Sequence, residues 1–235
     1  MNASYTIPLH RGVIIPAAGR GVRFGGDVPK QYLELGGVPI LVRSICTALS
    51  ISRVSCVVVA VPDGDVDYVG KMMAKSGIFD DRLFMVPGGQ GRQESVSICL
   101  RHPAMDNVGV ILVHDAVRPL ASPILWEAVA QEGEQAGAAA PGISMPDTLK
   151  RVDSRGCVVE TIDRSDLMRV QTPQAFVKSV LERGHQVADA SGFVGSDCAS
   201  AVEFSGQIVK IVAGEETNFK ITTSYDLNVA TLFLS

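Results

Sequence analysis

Several patterns are missing from this chain of 235 residues, and each absence excludes a class of protein. No stretch of roughly 18 apolar residues is present, which is the length that a membrane-spanning helix needs. Residues 1–9 lack the basic start and apolar centre of a secretory signal peptide. The five cysteines are an odd number without C-x-x-C spacing, so they indicate neither a disulfide framework nor a zinc site. The sequence therefore predicts a cytoplasmic protein with reduced thiols that binds no membrane.

A large charge of one sign is missing as well. The formal net charge is -4 and the calculated pI is about 5.6, which gives no bulk attraction to nucleic acid. Hydrophobic residues make up 46% of the chain and charged residues 20%, enough for a full core. No repeat, low-complexity tract or proline-rich linker divides the chain. We therefore predict a single domain over residues 1–235.

Short apolar runs of strand length alternate with helix-like stretches along the chain. This alternation predicts an α/β fold, with a mostly parallel twisted sheet flanked by helices. Strands are expected over residues 13–15, 54–61, 83–86, 110–113, 138–141 and 208–212, and helices over residues 40–50, 95–102, 123–133 and 173–185.

One segment departs from this alternation. Residues 148–152 and 157–161 are strand-like, and they flank the turn cluster Asp153-Ser154-Arg155-Gly156. Turn residues between two such runs predict a β-hairpin. The hairpin has little to pack on within a parallel sheet, so a β-arm projecting over residues 142–165 is one interpretation. An ordinary surface hairpin is the other.

The most informative stretch is V-I-I-P-A-A-G-R-G-V-R-F-G-G-D-V-P-K-Q-Y at residues 13–32. A β-branched strand breaks at Pro16 into small residues and glycines, whose backbone amides can approach an anion closely. A Walker loop would need lysine directly after its last glycine. A dinucleotide fingerprint would need a third glycine where Phe24 stands, and an acidic residue about 20 positions further on. Neither fits, so Arg23 and Lys30 beyond the loop indicate a polyphosphate site of another kind.

An ordinary capped end of a strand is one interpretation of H-D-A-V-R-P, and a metal ligand at Asp115 is the other. Asp115 follows the apolar run at residues 110–113, and open α/β sheets bind ligands at the carboxyl ends of their strands. Mg²⁺ typically uses one or two carboxylates together with phosphate oxygens, so a single aspartate is sufficient. The four histidines are scattered, and no H-E-x-x-H motif is present. The sequence thus favours phosphate chemistry driven by cations.

These motifs, in this order, resemble the 2-C-methyl-D-erythritol 4-phosphate cytidylyltransferase family of nucleotidyltransferases. The resemblance begins at residues 16–24 and 29–32 and spans nearly the whole chain. It continues through G-G-Q-G-R-Q-E-S-V, H-D-A-V-R-P, D-T-L-K-R, D-R, Q-T-P-Q-A-F, S-D-C-A-S-A-V-E and N-F-K-I-T, which start at residues 88, 114, 147, 163, 171, 196 and 218. It implies the Rossmann-like fold of the nucleotide-diphospho-sugar transferases, with the β-arm as a dimerisation element.

The activity implied by the resemblance is transfer of CMP from CTP to 2-C-methyl-D-erythritol 4-phosphate, with release of pyrophosphate. This step belongs to non-mevalonate isoprenoid precursor synthesis. The implied partners are CTP, a small sugar-alcohol phosphate, Mg²⁺ and a second copy of the chain. Two alternatives stay open at this point: a relative that uses ribitol 5-phosphate or another alditol phosphate, and a nucleotide-binding module without activity.

The resemblance also implies roles for individual residues. Four cations would be catalytic: Arg23, Lys30, Arg164 and Lys220. Nucleotide binding would fall to Pro16, Ala17, Ala18, Gly19, Gly21, Gly88, Gly89, Ser95, Asp115, Ala116 and Lys220. The acceptor would be bound by Asp115, Arg118, Thr148, Arg164 and Thr172, with Asp115 also holding the metal. Gln90 stands where many relatives carry an acidic residue, and Arg92 is either a contact of the same loop or a salt bridge at the start of a helix.

Overall fold

The fold was analysed in a computed structural model, which describes residues 9–19 and 28–234. Seven α-helices occur in these residues, with single 3₁₀ turns at Lys30–Tyr32 and Pro103–Met105. The helices are α1 (Ile40–Ser50), α2 (Val66–Lys75), α3 (Arg92–Leu100), α4 (Pro123–Ala136), α5 (Lys178–Ser191), α6 (Cys198–Phe204) and α7 (Ser224–Thr231). The strands are β1 (Arg11–Pro16), β2 (Glu34–Leu35), β3 (Val38–Pro39), β4 (Val54–Val61), β5 (Leu83–Pro87), β6 (Val110–Val113), β7 (Ala138–Ser144), β8 (Leu149–Val152), β9 (Val158–Ile162), β10 (Met168–Val170), β11 (Gln174–Val177) and β12 (Lys210–Ala213).

The central sheet has the strand order β10-β7-β11-β6-β1-β4-β5, with β12 beside β7. Strand β1 pairs in parallel with β4 and β6, β4 pairs in parallel with β5, and β12 pairs in parallel with β7. Strand β11 runs antiparallel to both β6 and β7, and β10 runs antiparallel to β7. The predicted α/β fold with a mostly parallel sheet is confirmed.

Helices cover both faces of this sheet. The side chains of β1 show why, because they point alternately to the two faces. Val13 and Ile15 pack in one apolar cluster with α1, α2 and α4, while Ile14 packs in a second cluster with α3, α5 and α6. All three side chains are fully buried. A parallel strand buried on both faces must be apolar at successive positions. That requirement explains the V-I-I run and the longer apolar run of β4.

The helix predicted over residues 173–185 is wrong in its first part. The chain first forms β11, and α5 begins only at Lys178. Ala175 and Phe176 are fully buried between the helical layers, and their backbone bonds to β6 and β7. The Thr172–Pro173 peptide bond is cis, and Pro173 is followed by β11 and not by a helix. Hydrogen bonding to two distant strands outweighed the local helical pattern.

The predicted hairpin is confirmed as β8 and β9, which form a two-stranded antiparallel sheet of their own. Gly156 in its turn has φ of +80°, a conformation that glycine adopts without strain. Nearly all of its side chains are exposed, including Val158 and Val159 at 61% and 64%. This β-arm projects from the body of the described chain.

All five cysteines carry free thiols, and four of them are wholly or partly buried. No helix in the described part of the chain combines the length and the apolar character needed to cross a bilayer.

Candidate active site

The candidate site is a cavity of about 440 Å³ at the carboxyl ends of β1, β5 and β6. It is built from the loop after β1, the loop that leads into α3, and the segment after β6. Its lining includes Pro16, Ala17, Ala18, Gly19, Lys30, Gly89, Ser95, Asp115, Ala116 and Lys220, all predicted from the sequence. It also includes Gln31, Gln90, Gly91, Arg92 and Val117.

The first two loops are fixed against each other at close range. Ala17 N donates to Ala60 O at 2.7 Å, and Gly88 N donates to Val61 O at 2.8 Å. Both loops are therefore hydrogen-bonded to the last two residues of β4. A Cβ added to Gly88 would lie 2.3 Å from the Ala18 Cβ. Because no real side chain tolerates that distance, glycine is required here by the approach of the loops.

Gln31 is bonded to the described part of the loop after β1, residues 16–19. Its side chain is 2% exposed, and Nε2 donates to Ala17 O at 2.8 Å and to Gly19 O at 3.0 Å. These two bonds fix the carbonyl groups of Ala17 and Gly19, while the Ala17 amide is already bonded to Ala60 O. We did not predict this role. The signal was the position of glutamine directly after Lys30 in P-K-Q-Y.

Ser95 fixes the second loop. Its hydroxyl accepts from Gly89 N at 3.1 Å and donates to Gly91 O at 2.9 Å. The side chain is almost fully buried. Gln90 lies in the same loop and is exposed, and its backbone N donates to Glu94 at 2.8 Å. Three hydrogen bonds therefore hold the loop in this conformation.

Three cations converge on the Asp115 carboxylate. Lys220 Nζ lies 2.9 Å from Oδ2, Arg92 Nε lies 3.2 Å from Oδ1, and Arg118 Nε lies 3.7 Å from Oδ2. The Asp115 side chain is only 11% exposed. Since one carboxylate faces three cations, this end of the cavity keeps a surplus of positive charge, which suits a polyphosphate.

The same cations set the ionisation of Asp115. Burial by itself would raise the pKa of this carboxyl, but the charges of Arg92, Lys220 and Arg118 hold it well below its usual range. Asp115 is therefore ionised throughout the physiological pH range. It can serve as a fixed anionic ligand, whereas a role as a proton donor is excluded.

A second set of bonds fixes the Asp115 backbone. Asp115 N donates to Thr172 Oγ1 at 3.0 Å, and Thr172 Oγ1 lies 3.1 Å from His114 Nδ1. His114 Nε2 lies 3.1 Å from Arg118 O, which can only accept. Burial lowers the pKa of His114 to about 4, so its neutral ring donates from Nε2 and accepts the Thr172 hydroxyl proton at Nδ1. The Thr172 hydroxyl thus donates its hydrogen bond to His114 and accepts the one from Asp115 N.

Some predicted residues lie away from this cavity. Gly21 and Arg23 are outside the described residues. Thr148 and Arg164 are exposed at the base of the β-arm, where Arg164 donates to Pro146 O, and neither lines the cavity in the part of the chain that the structure describes. Arg118 lies behind Asp115 and donates to Asn218 O at 2.7 Å. The structure therefore gathers the predicted nucleotide residues other than Gly21 and Gly88 in the lining of the cavity, while the arm residues remain apart.

The donor set can accommodate Mg²⁺. No group of three or more His, Cys, Asp or Glu side chains suited to a metal occurs among the residues described. Asp115 lies at the cavity, and Mg²⁺ at phosphate sites needs only one or two carboxylates besides phosphate oxygens. Lys220, the nearest partner of Oδ2, is 39% exposed and has room to move aside. The chemistry of the site thus fits a metal held jointly by Asp115 and a phosphate ligand.

A larger cavity of about 600 Å³ lies between α1 and α2. Its walls are mainly apolar, with Val38, Val42 and Met72 among them. It contains neither the glycine-rich loop nor the cation cluster on Asp115. The smaller cavity, which contains both, is the one equipped for a charged ligand.

The α/β sheet, the two amide-rich loops and the cation cluster at the carboxyl edge define a nucleotidyltransferase-type fold and site. Comparison with known proteins agrees. The family model of 2-C-methyl-D-erythritol 4-phosphate cytidylyltransferase matches residues 12–235, and the chain belongs to that family.

Relatives and solved structures place the chain in the same group. The 2-C-methyl-D-erythritol 4-phosphate cytidylyltransferase of Acidobacterium capsulatum is 39% identical over 230 residues, which are 94% of this chain and 96% of the relative. The crystal structure of 4-diphosphocytidyl-2C-methyl-D-erythritol synthase from Anaerococcus prevotii has a TM-score of 0.82 at 29% identity, covering 96% of each chain. The cytidylyltransferase from Francisella tularensis has a TM-score of 0.81 at 28% identity, covering 95% of this chain and 99% of that one.

Proposed function

We propose that this chain transfers CMP from CTP to 2-C-methyl-D-erythritol 4-phosphate. A phosphate oxygen of the acceptor attacks the α-phosphorus of CTP, and the bond from that phosphorus to the bridging oxygen breaks. The products are 4-diphosphocytidyl-2-C-methyl-D-erythritol and pyrophosphate. The observation that carries the proposal is the convergence of Arg92, Arg118 and Lys220 on Asp115 beside two fixed loops.

The reaction requires no strong base. A phosphate monoester is largely dianionic near pH 7, because its second pKa is about 6. The barrier is lowered by positioning and by positive charge around the α-phosphorus. Lys30 and Lys220 line the cavity and would stabilise the departing pyrophosphate, together with Arg23 from the neighbouring segment. The backbone amides of Ala18 and Gly19, which line the cavity after β1, would bind the nucleotide.

The metal proposed for this site is Mg²⁺, held by Asp115 and by phosphate oxygens of CTP. When bound, it would neutralise phosphate charge in the transition state. Removal with EDTA is expected to abolish pyrophosphate release, and added Mg²⁺ should restore it. Turnover that persists in EDTA would exclude this role.

We further propose that the active form is a homodimer joined through the β-arm. The arm exposes Val152, Val158 and Val159 together, and such a group of exposed apolar side chains favours burial against a partner. Thr148 and Arg164 would then complete the acceptor site of the second chain. The enzyme would act in the cytoplasm, where its reduced thiols are stable and CTP is supplied.

The first experiment measures pyrophosphate release with CTP and Mg²⁺. Methylerythritol 4-phosphate is compared with ribitol 5-phosphate, and CTP with ATP, GTP and UTP. A strong preference for CTP with methylerythritol phosphate is expected. Release only with ribitol phosphate would leave the mechanism as proposed but identify ribitol 5-phosphate as the acceptor. No release with either acceptor would favour a nucleotide-binding module without activity.

A further inference from the structure

Arg92 lines the candidate active site at the point where three parts of the fold meet. It is the first residue of α3, its Nε donates to Asp115 Oδ1 at 3.2 Å, and its Nη1 donates to Cys198 Sγ at 3.3 Å. Cys198 is the first residue of α6. The guanidinium therefore links α3 and α6 to the carboxylate that follows β6.

The contact with Oδ1 distinguishes Arg92 from the other two cations. Lys220 and Arg118 both lie at Oδ2. A carboxylate with contacts at only one oxygen can rotate about the Cβ–Cγ bond of the aspartate. Contacts at both oxygens fix the plane of the group. Arg92 thus determines which edge of Asp115 faces Lys220 and the cavity.

Cys198 in turn holds the guanidinium. Its side chain is 2% exposed, and burial raises the pKa of the thiol against the opposing charge of Arg92, so the sulfur is a neutral acceptor. Arg92 Nη2 is buried without a hydrogen-bond partner among the described residues. Burying an unpaired donor is costly, so a residue retained only to fill space would avoid it.

We propose that Arg92 is a positioning residue that acts through Asp115 and is itself oriented by Cys198. This inference rests on the proposed function, since Asp115 is the ligand that the cytidylyl transfer would use. The planar fork of arginine is essential to the role, because one nitrogen must reach Asp115 while another reaches Cys198. The ammonium group of lysine cannot span both partners.

The test is a double-mutant cycle on pyrophosphate release from CTP with methylerythritol phosphate. Arg92→Lys is expected to lower kcat by about 10-fold to 100-fold, the cost typical of losing a partner behind a functional ligand. The KM for CTP should change little. In an Asp115→Asn background, Arg92→Lys should have no further effect, because the group through which it acts has been altered. Additive effects in the cycle would overturn the proposal.

Cys198 supplies a matched pair of variants. Cys198→Ala removes the acceptor and should lower kcat by about threefold to tenfold, the size of one lost hydrogen bond of typical strength. Cys198→Ser keeps an acceptor and should restore activity towards that of the wild type. Equal activity of the Ala and Ser variants would exclude the anchoring role of Cys198.

A direct contact of Arg92 with the triphosphate would give a different result. Lysine would keep the charge, and the loss would appear as weaker CTP binding. Calorimetry with CTP in EDTA measures that affinity without turnover, and we expect equal dissociation constants for the wild type and Arg92→Lys. A weaker dissociation constant with an unchanged kcat would contradict the positioning role.

One further measurement separates this inference from the proposed function. The carbon-13 signal of the Asp115 carboxyl should shift in Arg92→Lys and Cys198→Ala but not in Cys198→Ser, whether or not the enzyme turns over. A wild-type chain without pyrophosphate release would reject the proposed function. An Asp115 signal that does not move in any variant would reject the positioning role.

Discussion

Lys30, Arg92, Arg118 and Lys220 differ in how they are held, although all four bring positive charge to the same end of the sheet. Lys220 is 39% exposed at the cavity, whereas the Arg118 side chain is 12% exposed behind Asp115. A side chain that stays in contact with a departing phosphate must be able to move with it. A side chain that orients a carboxylate must instead stay in place. The lower exposure of Arg118 is consistent with a positioning role, and the higher exposure of Lys220 with the catalytic role proposed for it.

Lys30 is the residue at which the electrostatic mechanism is most directly tested. Lys30→Ala should lower turnover by roughly two to three orders of magnitude while the chain still folds, as expected when a preorganised charge is lost. Steady-state kinetics and thermal unfolding measure the two effects. Lys71→Ala, which removes an exposed lysine on α2, is the control and should leave turnover unchanged. Turnover close to that of the wild type in Lys30→Ala would reject the mechanism.

His114 should make stability depend on pH. Its pKa is lowered from 6.5 to about 4 in the folded chain, so between these values the unfolded chain binds a proton that the folded chain does not. The free energy of unfolding should therefore fall by roughly 3 kcal/mol as the pH drops from 6.5 to 4.

The control for this prediction is His114→Gln, which cannot titrate. Its denaturant-unfolding free energy should fall less steeply over the same range. Burial also lowers the pKa of His185, so part of the pH dependence remains in the variant. Identical slopes for the wild type and His114→Gln would contradict the assignment of a buried neutral histidine.

At the scale of elements, close helix packing reverses the usual effect of a glycine substitution. Gly70 in α2 has open space where a Cβ would be, whereas a Cβ on Gly184 in α5 would lie 3.0 Å from Val202 Cα in α6. Gly70→Ala should stabilise the fold by about 0.5–1 kcal/mol through helix propensity. Gly184→Ala should destabilise it, because α5 and α6 would have to separate.

Thermal and chemical unfolding of these two variants are the measurements. Both glycines have helical backbone dihedrals, so propensity alone predicts the same sign for both. Stabilisation by Gly184→Ala would show that the α5–α6 contact is looser than described.

The elements that the sequence predicted well are those with a strong local signal. The prediction for β4 matches the observed Val54–Val61, and that for α1 matches Ile40–Ser50. We did not predict α6, although Asp197 caps it by accepting from Ser200 N at 2.9 Å. Its seven residues are too few for a clear periodicity. The cap residue was the signal that could have revealed it.

For the whole molecule, the β-arm is the feature that the single chain does not explain. Arg164 is exposed beside the arm, although the family resemblance gives it a role in catalysis. A site shared between two chains would account for both facts. A site shared between two chains can be tested without knowledge of the interface structure.

Mixing an Arg164→Ala chain with a Lys30→Ala chain should restore part of the activity. Each heterodimer would contain one site with both residues intact, if the arm of one chain completes the site of the other. Activity of the mixture against either variant alone is the measurement, with heterodimers verified by mass. No recovery in verified heterodimers would indicate that each site is complete within one chain.

The amino-acid sequence by itself determined the α/β fold, the glycine-rich loop and the identity of Asp115 and Lys220 as site residues. The fold and the loop follow from local patterns, since strand burial and close backbone approach each restrict the residue types at successive positions. Lys220 was assigned through the family resemblance of N-F-K-I-T, and Asp115 through the same resemblance together with its place at the end of a strand. Only the tertiary structure decided that residues 174–177 form a strand, that Gln31 and His114 support the site, and that Arg92 reaches Asp115 and Cys198. These features depend on contacts between residues up to 106 positions apart, and a local pattern carries no information on such distances.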